Sequence, residues 1–485
     1  MNDSIGAEIG LPGYDPQGFY CEIFGGPSGA AAPSPAIQER LRRLDTGDLS
    51  ARAQAAADEL YNLGITFTVY TEREAIDRIL PFDVIPRLIA AKEWARMEAG
   101  VTQRVRALNL FLHDIYHDQK IIKDGVVPGH LILKNKNYRP QMAGIDLPHG
   151  TYVHVCGIDL VRGADGAFRV LEDNARTPSG VSYVIENRHM MLRAFPDLAR
   201  DIGLRDVDEY GARLHQAMHE VAPPDLTEPQ VVLLSPGIYN SAYFEHIFLA
   251  REMGVPLVEG RDLEVEDDRV YMRTTAGRAP VHAIYRRIDD DFLDPKTFRP
   301  DSMLGVPGLF EAYAKGNVTL ANAVGTGVAD DKAVYAYMPR VIDYYLGEEP
   351  IIENVETHIC GEEEGLKYTL DHLEELVVKP VGESGGYGIL IGPQASKDEL
   401  AQFRDKLKAD PHNFISQPVI SLSVCPTLVD GKIEPRHVDL RPFCITGADS
   451  WVLPGGLTRV AIKRGSLVVN SSQGGGSKDT WVLTE

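Results

Sequence analysis

Two carboxylates and an amide sit close together in the stretch "GIDLVRGADGAFRVLEDNAR", which runs from Gly157 to Arg176. Asp165-Gly166 is the signature of a two-residue type I′ hairpin loop. With those two residues as the loop, Ala164 faces Ala167 and Asp159 faces Glu172. Val161 then faces Val170 on the same side of the ribbon, and Leu160 faces Leu171 on the other. Directly opposed Cβ atoms lie roughly 5 Å apart, so two carboxylates there repel each other. Asn174 projects from the face of Glu172, because side chains alternate along a strand. Three hard oxygen donors on one patch suit magnesium with bound phosphate, which would turn the repulsion into cohesion. The plain alternative is a solvent-facing hairpin whose charges happen to meet, and a one-residue slip would separate them.

A second chemical group lies in "EELVVKPVGESGGYGILIG", residues 374–392. Two apolar strand-like runs flank a loop with Lys379 at its root and glycines at 382, 385, 386 and 388. Glycine lets backbone N–H groups turn toward phosphate oxygens, and a lysine adds a point charge. The loop is neither G-x-x-x-x-G-K-[ST] nor a helix-opening G-x-G-x-x-G, and "GGGSK" at 474–478 has the wrong order. In "GVADDKAVYAYM", Asp330 and Asp331 precede Lys332 at a helix start. A lysine there opposes the helix dipole, which points to an anion; an exposed lysine beside two aspartates is the bland reading. "NFISQPVI" reads as a strand that brings Gln417 to a nucleobase. Alternation in "PRHVDLRPF" puts His437, Asp439 and Arg441 on one face, with His437 either a general base or a hydrogen-bonded structural group. Arg459 and Asn470 precede a last glycine cluster.

The elements that must position these residues are partly readable. The first ~35 residues, rich in Gly, Pro and Ala, suggest an extended or poorly ordered lead-in. Helical patterns follow at 36–63 and through "VIPRLIAAKEWARMEAGVTQRVRALNLFLHDIY", residues 84–116, where Leu88, Ala91, Ala95, Val101, Val105, Leu108 and Leu112 make one face. Trp94 and Tyr116 read as packing residues there. "VVLLSPG" at 231–237, a helix and a further strand give a βαβ rhythm over 228–318. Ligands in such sheets sit beyond the carboxyl ends of strands, which makes Ser235, Gly237 and Arg287 candidate substrate contacts, although Arg286 or Arg287 could equally face solvent.

Composition sets outer limits. A chain of 485 residues has room for two to four domains. Its charge of −21 argues against a non-specific grip on nucleic acid. No run approaches the ~20 apolar residues of a membrane span, and the first residues lack the features of a secretory leader. Five cysteines without a C-x-x-C pair fit a reducing cytoplasm and make structural zinc improbable.

Together these residues resemble the ATP-grasp ligases. Lys332, Lys379, the glycine loop, Gln417, Arg459 and Asn470 follow that superfamily's order, but Asp159 and Glu172-x-Asn174 come before the first lysine instead of last. That order resembles the circularly permuted ATP-grasp family, similar to glutathionylspermidine synthase without its amidase domain. "LEDNARTPSGVSYVIENR", "NAVGTGVADDKA", "RHVDLRPF" and "VNSSQGGGSKDTWVL" carry the resemblance most specifically. It implies a mixed α+β and α/β fold: a lead-in (1–35), a helical N-terminal region (36–150), the metal-binding hairpin with following helices (151–227), a Rossmann-like substrate subdomain (228–318) and the remaining ATP-grasp subdomains (319–485). It further implies ATP and Mg²⁺, with Asp159, Glu172 and Asn174 on the metal. Lys332, Lys379, Glu383, Ser384, Gly385, Gly386, Gly388, Gln417 and Asn470 would hold the nucleotide, and Arg441, Arg459 or Arg176 the transferring charge. The implied reaction joins a small-molecule or peptide carboxylate to an amine through an acylphosphate; a phosphotransferase and a non-catalytic nucleotide-binding scaffold share the same residues. The resemblance leaves both substrates and the oligomeric state open.

Overall fold

The computed structural model describes residues 11, 13–26, 33–70, 75–224, 226–382, 388–466, 469 and 474–485. The acidic ribbon forms as Val155–Arg162 against Phe168–Asn174, with Asp159 opposite Glu172. Its turn differs from the expected two-residue loop. Gly163 N–H donates to Ala167 O at 3.2 Å, and Gly166 takes φ +78° at the end of a three-residue loop. Asp165 fixes that turn by accepting from Ala167 N at 3.1 Å. Near the loop the pairing is therefore shifted by one, so Leu160 faces Val170 and Val161 faces Arg169. Leu171 then bulges out and restores the register before the carboxylates. The bulge has a packing cause: Leu171 joins Val161, Val355 and Leu422, whereas Leu160 and Val170 enter the main core.

The ribbon is the edge half of a four-stranded sheet. Val155–Arg162 pairs on its other side with Phe443–Thr446, beyond which lies Ser450–Val452. Arg441 passes over Gly157, where a Cβ would stand 3.0 Å from Arg441 Cδ. Glycine at 157 thus leaves room for a side chain from far along the chain.

Val231–Leu234, Leu257–Val258, Ala283–Arg286 and Thr319–Ala321 form an all-parallel sheet, with the helix Tyr243–Met253 crossing between the first two. Its central strands are wholly buried, as apolar runs such as "VVLL" require. Asn322, just past the last strand, accepts from His154 N (2.8 Å) and Val155 N (2.7 Å) and donates to Ala175 O (2.7 Å). One amide so ties this sheet to both strands of the ribbon. Arg286 and Arg287 are both buried, which excludes the solvent-exposed alternative for either.

A second antiparallel sheet orders His358–Ile359, Phe414–Pro418, Leu376–Pro380 and Leu390–Ile391. The last two are the strands on either side of the glycine loop. This sheet has its own small core, in which Val378, Leu390 and Phe414 pack with Leu400 and Leu407 of Lys397–Ala409.

Two expectations for the N-terminal third are overturned. Phe82–Ile89 is a strand, and the helix starts only at Ala91, running to Tyr116. Pro86 does not suit a helix interior, and the pairing with Gly476–Val482 is irregular just there. Lys478 of "GGGSK" is buried in that strand, paired with Asp83 and donating to Pro426 O at 2.8 Å. The lead-in, where described, is packed and not a free arm. Tyr14, Cys21 and Ile23 are in the core, and Glu22 N–H donates to Val424 O at 2.9 Å. The Glu22 carboxylate, fully buried, meets Arg87 at 2.6 Å and Arg162 at 3.3 Å. Burial pushes Glu22 up, but the two guanidiniums outweigh it and hold the carboxyl below its usual range.

Removing one member of such a group leaves uncompensated charge in a dry interior. Glu22→Ala is expected to lower stability by about 3–5 kcal/mol in urea unfolding; a loss below about 1 kcal/mol would place the group in water.

Candidate active site

Lys379 and Lys332 approach the acidic ribbon from different elements. Lys379 projects from Leu376–Pro380 and donates to Gln417 Oε1 at 2.7 Å. Gln417 Nε2 donates in turn to Thr357 Oγ1 at 2.9 Å. The amide expected beside a nucleobase is thus placed on the lysine. Burial lowers the Lys379 pKa to about 8, with Lys332 pushing the same way and Glu172 and Asp159 opposing. Lys332 opens the short helix Lys332–Ala336, capped by Asp331, and its Nζ lies 3.6 Å from Glu172 Oε2. Lys332 N–H donates to Val381 O at 3.2 Å, which ties this helix to the root of the glycine loop.

Asp159 is the most constrained group. It has no exposed surface. Oδ1 accepts from Arg441 Nε (2.5 Å) and Asn174 Nδ2 (3.3 Å); Oδ2 accepts from Arg441 (2.8 Å) and Arg459 (2.5 Å). Burial alone would raise this carboxyl, but Arg441 and Arg459 outweigh it and hold it well below the usual range. Arg459 Nε also contacts both oxygens of Asp439 at 3.0 Å. Asp439, shifted up chiefly by burial, is a third carboxylate that the alternation of "RHVDLRPF" put on the face of Arg441 without giving it a role.

The donor chemistry fits magnesium. Among the described residues no three His, Cys, Asp or Glu side chains gather as a ligand set, so of the three expected ligands a cation would rest on Glu172 and the amide oxygen of Asn174. Magnesium is commonly held by one or two carboxylates with water and phosphate completing its shell. Glu172 is the accessible donor, 28% exposed at its side chain. The acceptor positions of Asp159 are taken by its guanidiniums and Asn174.

Arg176 lies just past the ribbon. Its Nη1 is 3.2 Å from Asp289 and its Nε 3.5 Å from Asp330. Asp330 accepts from Ala175 N at 2.6 Å, and burial lifts its carboxyl to about 6 against the pull of Arg176. The N-terminal region adds residues that its sequence did not announce: Asn135 donates to Asp331 at 2.9 Å, and Lys136 Nζ to Gly382 O at 3.3 Å. The loop after the ribbon is held from two sides. Arg287 donates to Pro178 O (2.7 Å) and to Ser179 Oγ, while Glu245 accepts from Gly180 N (2.7 Å) and Ser182 N (3.1 Å). Arg441 reaches Ser179 O at 3.2 Å. Arg287 therefore shapes the loop through buried contacts.

Three other candidates have internal partners. Ser235 Oγ is hydrogen-bonded with His246 Nδ1 at 2.8 Å and accepts from Gly237 N at 3.1 Å. His437 Nδ1 lies 2.9 Å from Leu422 O, the structural alternative of its two readings. Gly382 and Gly388 stand at the two ends of the loop; Glu383, Ser384, Gly385, Gly386 and Asn470 lie outside the described residues.

A model of the circularly permuted ATP-grasp type 2 family matches residues 86–461. An "Uncharacterized protein" of Synechocystis sp. is 52% identical over 98% of this chain and 98% of that one. A Frankia alni relative named "Putative glutamate--cysteine ligase 2-3" is 44% identical over 98% of this chain and 55% of its own length. Among solved structures, a glutathione synthetase-like effector from Globodera pallida in its apo form superposes with a TM-score of 0.58 at 10% identity, covering 93% of this chain and 100% of that one, a likeness of fold.

The arginine cage around Asp159 makes a measurable pH signature. A carboxyl whose pKa falls on folding contributes stability above its unfolded value, near 3.9, and loses it as pH drops toward the folded value. Asp159→Asn is therefore expected to cost most at neutral pH and least below about pH 4 in urea unfolding. A stability gap unchanged between those pH values would show that the charge is not held by the cage.

Proposed function

As the chain belongs to the circularly permuted ATP-grasp family, we propose that it is an ATP-dependent ligase joining a carboxylate to an amine. One observation carries this reading: Lys332 Nζ lies 3.6 Å from Glu172 of the early ribbon, and Lys379 of the distant glycine-loop sheet stands in the field of both ribbon carboxylates. A carboxylate oxygen of the acid attacks the γ-phosphorus of ATP and the bond to ADP breaks. The amine then attacks the acyl carbon, phosphate departs, and the nitrogen gives up a proton to solvent.

Such a transfer needs positioning and charge neutralisation more than covalent help from the protein. Lys379 and Lys332 bind phosphate oxygens, and Gln417 holds Lys379 in place. Glu172 and the amide oxygen of Asn174 would hold magnesium, which when bound neutralises phosphate charge, while Asp159 holds the Asn174 amide from behind. Arg441 and Arg459 fix Asp159 in its ionised form. The glycine loop is suited to exclude water from an acylphosphate that water would destroy. The name of the Frankia alni relative supports an amino-acid substrate class.

A screen of amino acids, short peptides and amines for magnesium-dependent release of ADP and phosphate, with products weighed by mass spectrometry, tests the reading. An amide product supports it, and a phosphorylated product stable without amine would replace it by a kinase. Against the best substrate pair, Glu172→Gln and Lys379→Ala are expected to lower turnover by about 100-fold or more with thermal unfolding unchanged. Full activity in either variant removes that residue from the site.

The lowered pKa of Lys379 adds a pH dependence. Above pH 8 a growing fraction of the free protein carries a neutral amine there. Affinity for Mg-ATP by calorimetry is expected to fall above that pH, approaching about tenfold per unit. Arg does not titrate in this range, so Lys379→Arg should flatten the dependence; an equal decline in that variant would assign it to another group.

A further inference from the structure

The three arginines near the site differ in how much of their hydrogen-bonding capacity is already used. Arg459 spends Nε and one terminal nitrogen on Asp439 and Asp159. Arg441 spends all three nitrogens on Asp159 and Ser179 O. Arg176 is 34% exposed, and its Nε is buried with no hydrogen-bond partner among the described residues. Of the three it is the guanidinium open to an arriving ligand, since the side chains of Arg441 and Arg459 are only 12% and 8% exposed.

What faces Arg176 is acidic and fixed. Residues 289–291 are three consecutive aspartates just beyond the strand Ala283–Arg286, at the carboxyl end of the parallel sheet. The middle one is anchored inside: Asp290 meets Arg286 at 2.6 Å and accepts from Gly325 N at 2.9 Å. Its neighbours are displayed at the surface. Asp289, 48% exposed, stands 3.2 Å from Arg176, and Asp291, 61% exposed, stands 2.7 Å from Arg139. The result is a partly exposed row of alternating guanidinium and carboxylate, which Arg176 joins to the ribbon that bears Glu172 and Asn174. Fork-shaped arginine suits a planar carboxylate, and an exposed aspartate suits an ammonium.

We propose that this charged row binds the acid substrate as a zwitterion, an amino-acid-like molecule whose carboxylate engages Arg176 and whose ammonium engages Asp289 and Asp291. The inference rests on the ligase reading above. Binding exchanges partners: the incoming carboxylate takes donors of Arg176, and the incoming ammonium takes the carboxylate that Arg176 gives up. Charge stays balanced throughout, so a neutral or singly charged acid leaves one side of the exchange unmatched.

The test uses the full chain, Mg-ATP and saturating hydroxylamine as the amine, with the common L-amino acids each as the free acid and as its N-acetyl derivative, reading ADP release together with the hydroxamate of the added acid. At least one free amino acid is expected to show kcat/KM about 10- to 100-fold above its N-acetyl form, the usual loss for a hydrogen bond to a charged group. Asp289→Asn should remove most of that preference by lowering the free acid's value alone; Asp291→Asn provides a second reading if the first variant folds poorly. Equal turnover of free and acetylated acids, an unchanged preference in both variants, or no stimulation by any amino acid overturns the zwitterion site and leaves the nucleotide site standing. Wild-type protein that binds no Mg-ATP by calorimetry would sink the ligase reading itself, and this inference with it.

Discussion

The carboxylate of Asp159, taken entirely out of water, is the constraint around which the rest of the molecule is arranged. Two guanidiniums hold it, and they come from residues 282 and 300 positions further along the chain. Burying such a group gains little stability in itself, since an apolar replacement of the same shape is often equal or better. What it does gain is a single geometry, because any displacement of the ribbon from the C-terminal strands strands a charge. Pairing of Cys156 with Cys444 sets the spacing between those strands, and Gly157 opens the path for Arg441. The site's acidic face is thereby fixed by the same contacts that close the fold.

The same device recurs at the other seams. Arg287 and Glu245, both buried, grip the loop after the ribbon from the side of the parallel sheet, and Arg441 meets that loop from the other side. Polar contacts therefore run from the parallel sheet through Ser179 to Asp159. Glu22 with Arg87 and Arg162 does the equivalent work between the lead-in and the end of the ribbon's first strand. Among the described residues, the seam to the glycine-loop sheet includes the Lys332 backbone bond to Val381 and the Lys136 contact with Gly382.

How much of this was legible in the sequence depended on how local the information was. The opposition of Asp159 and Glu172 was readable, although by a route that was half right: the true loop is one residue longer, and the bulge at Leu171 cancels the error. A local turn signal cannot report a bulge that exists to bury Leu171 against Val355 and Leu422. The strands around the glycine loop and the first parallel strand were plain because each is a short apolar run between glycines or prolines. The strand Phe82–Ile89 was hidden, since its apolar residues continue in helical register into Ala91–Tyr116 and its partner is the last strand of the chain. The lead-in was misread for the same reason. Its composition resembles a disordered arm, and it is contacts with distant segments, the core around Cys21 and Ile23 and the pairing of Glu22 with two arginines, that show why it is packed. Lys136 had no motif around it at all; only the fold brings it to Gly382.

Placing the acidic ribbon before the lysines rather than after them changes the order of folding contacts but little of their energy. Closing a loop costs entropy that grows only with the logarithm of its length, so a tenfold longer closure adds about 2 kcal/mol. Stranding one buried charge costs about 3–5 kcal/mol, which outweighs that difference. The contact between Asp159 and its arginines can therefore tolerate either chain order, provided that the strands bearing them pair. That pairing is antiparallel between Val155–Arg162 and Phe443–Thr446, and neither strand depends on a direct connection to the other. The geometry of the site belongs to the sheet, not to the order in which the chain visits it.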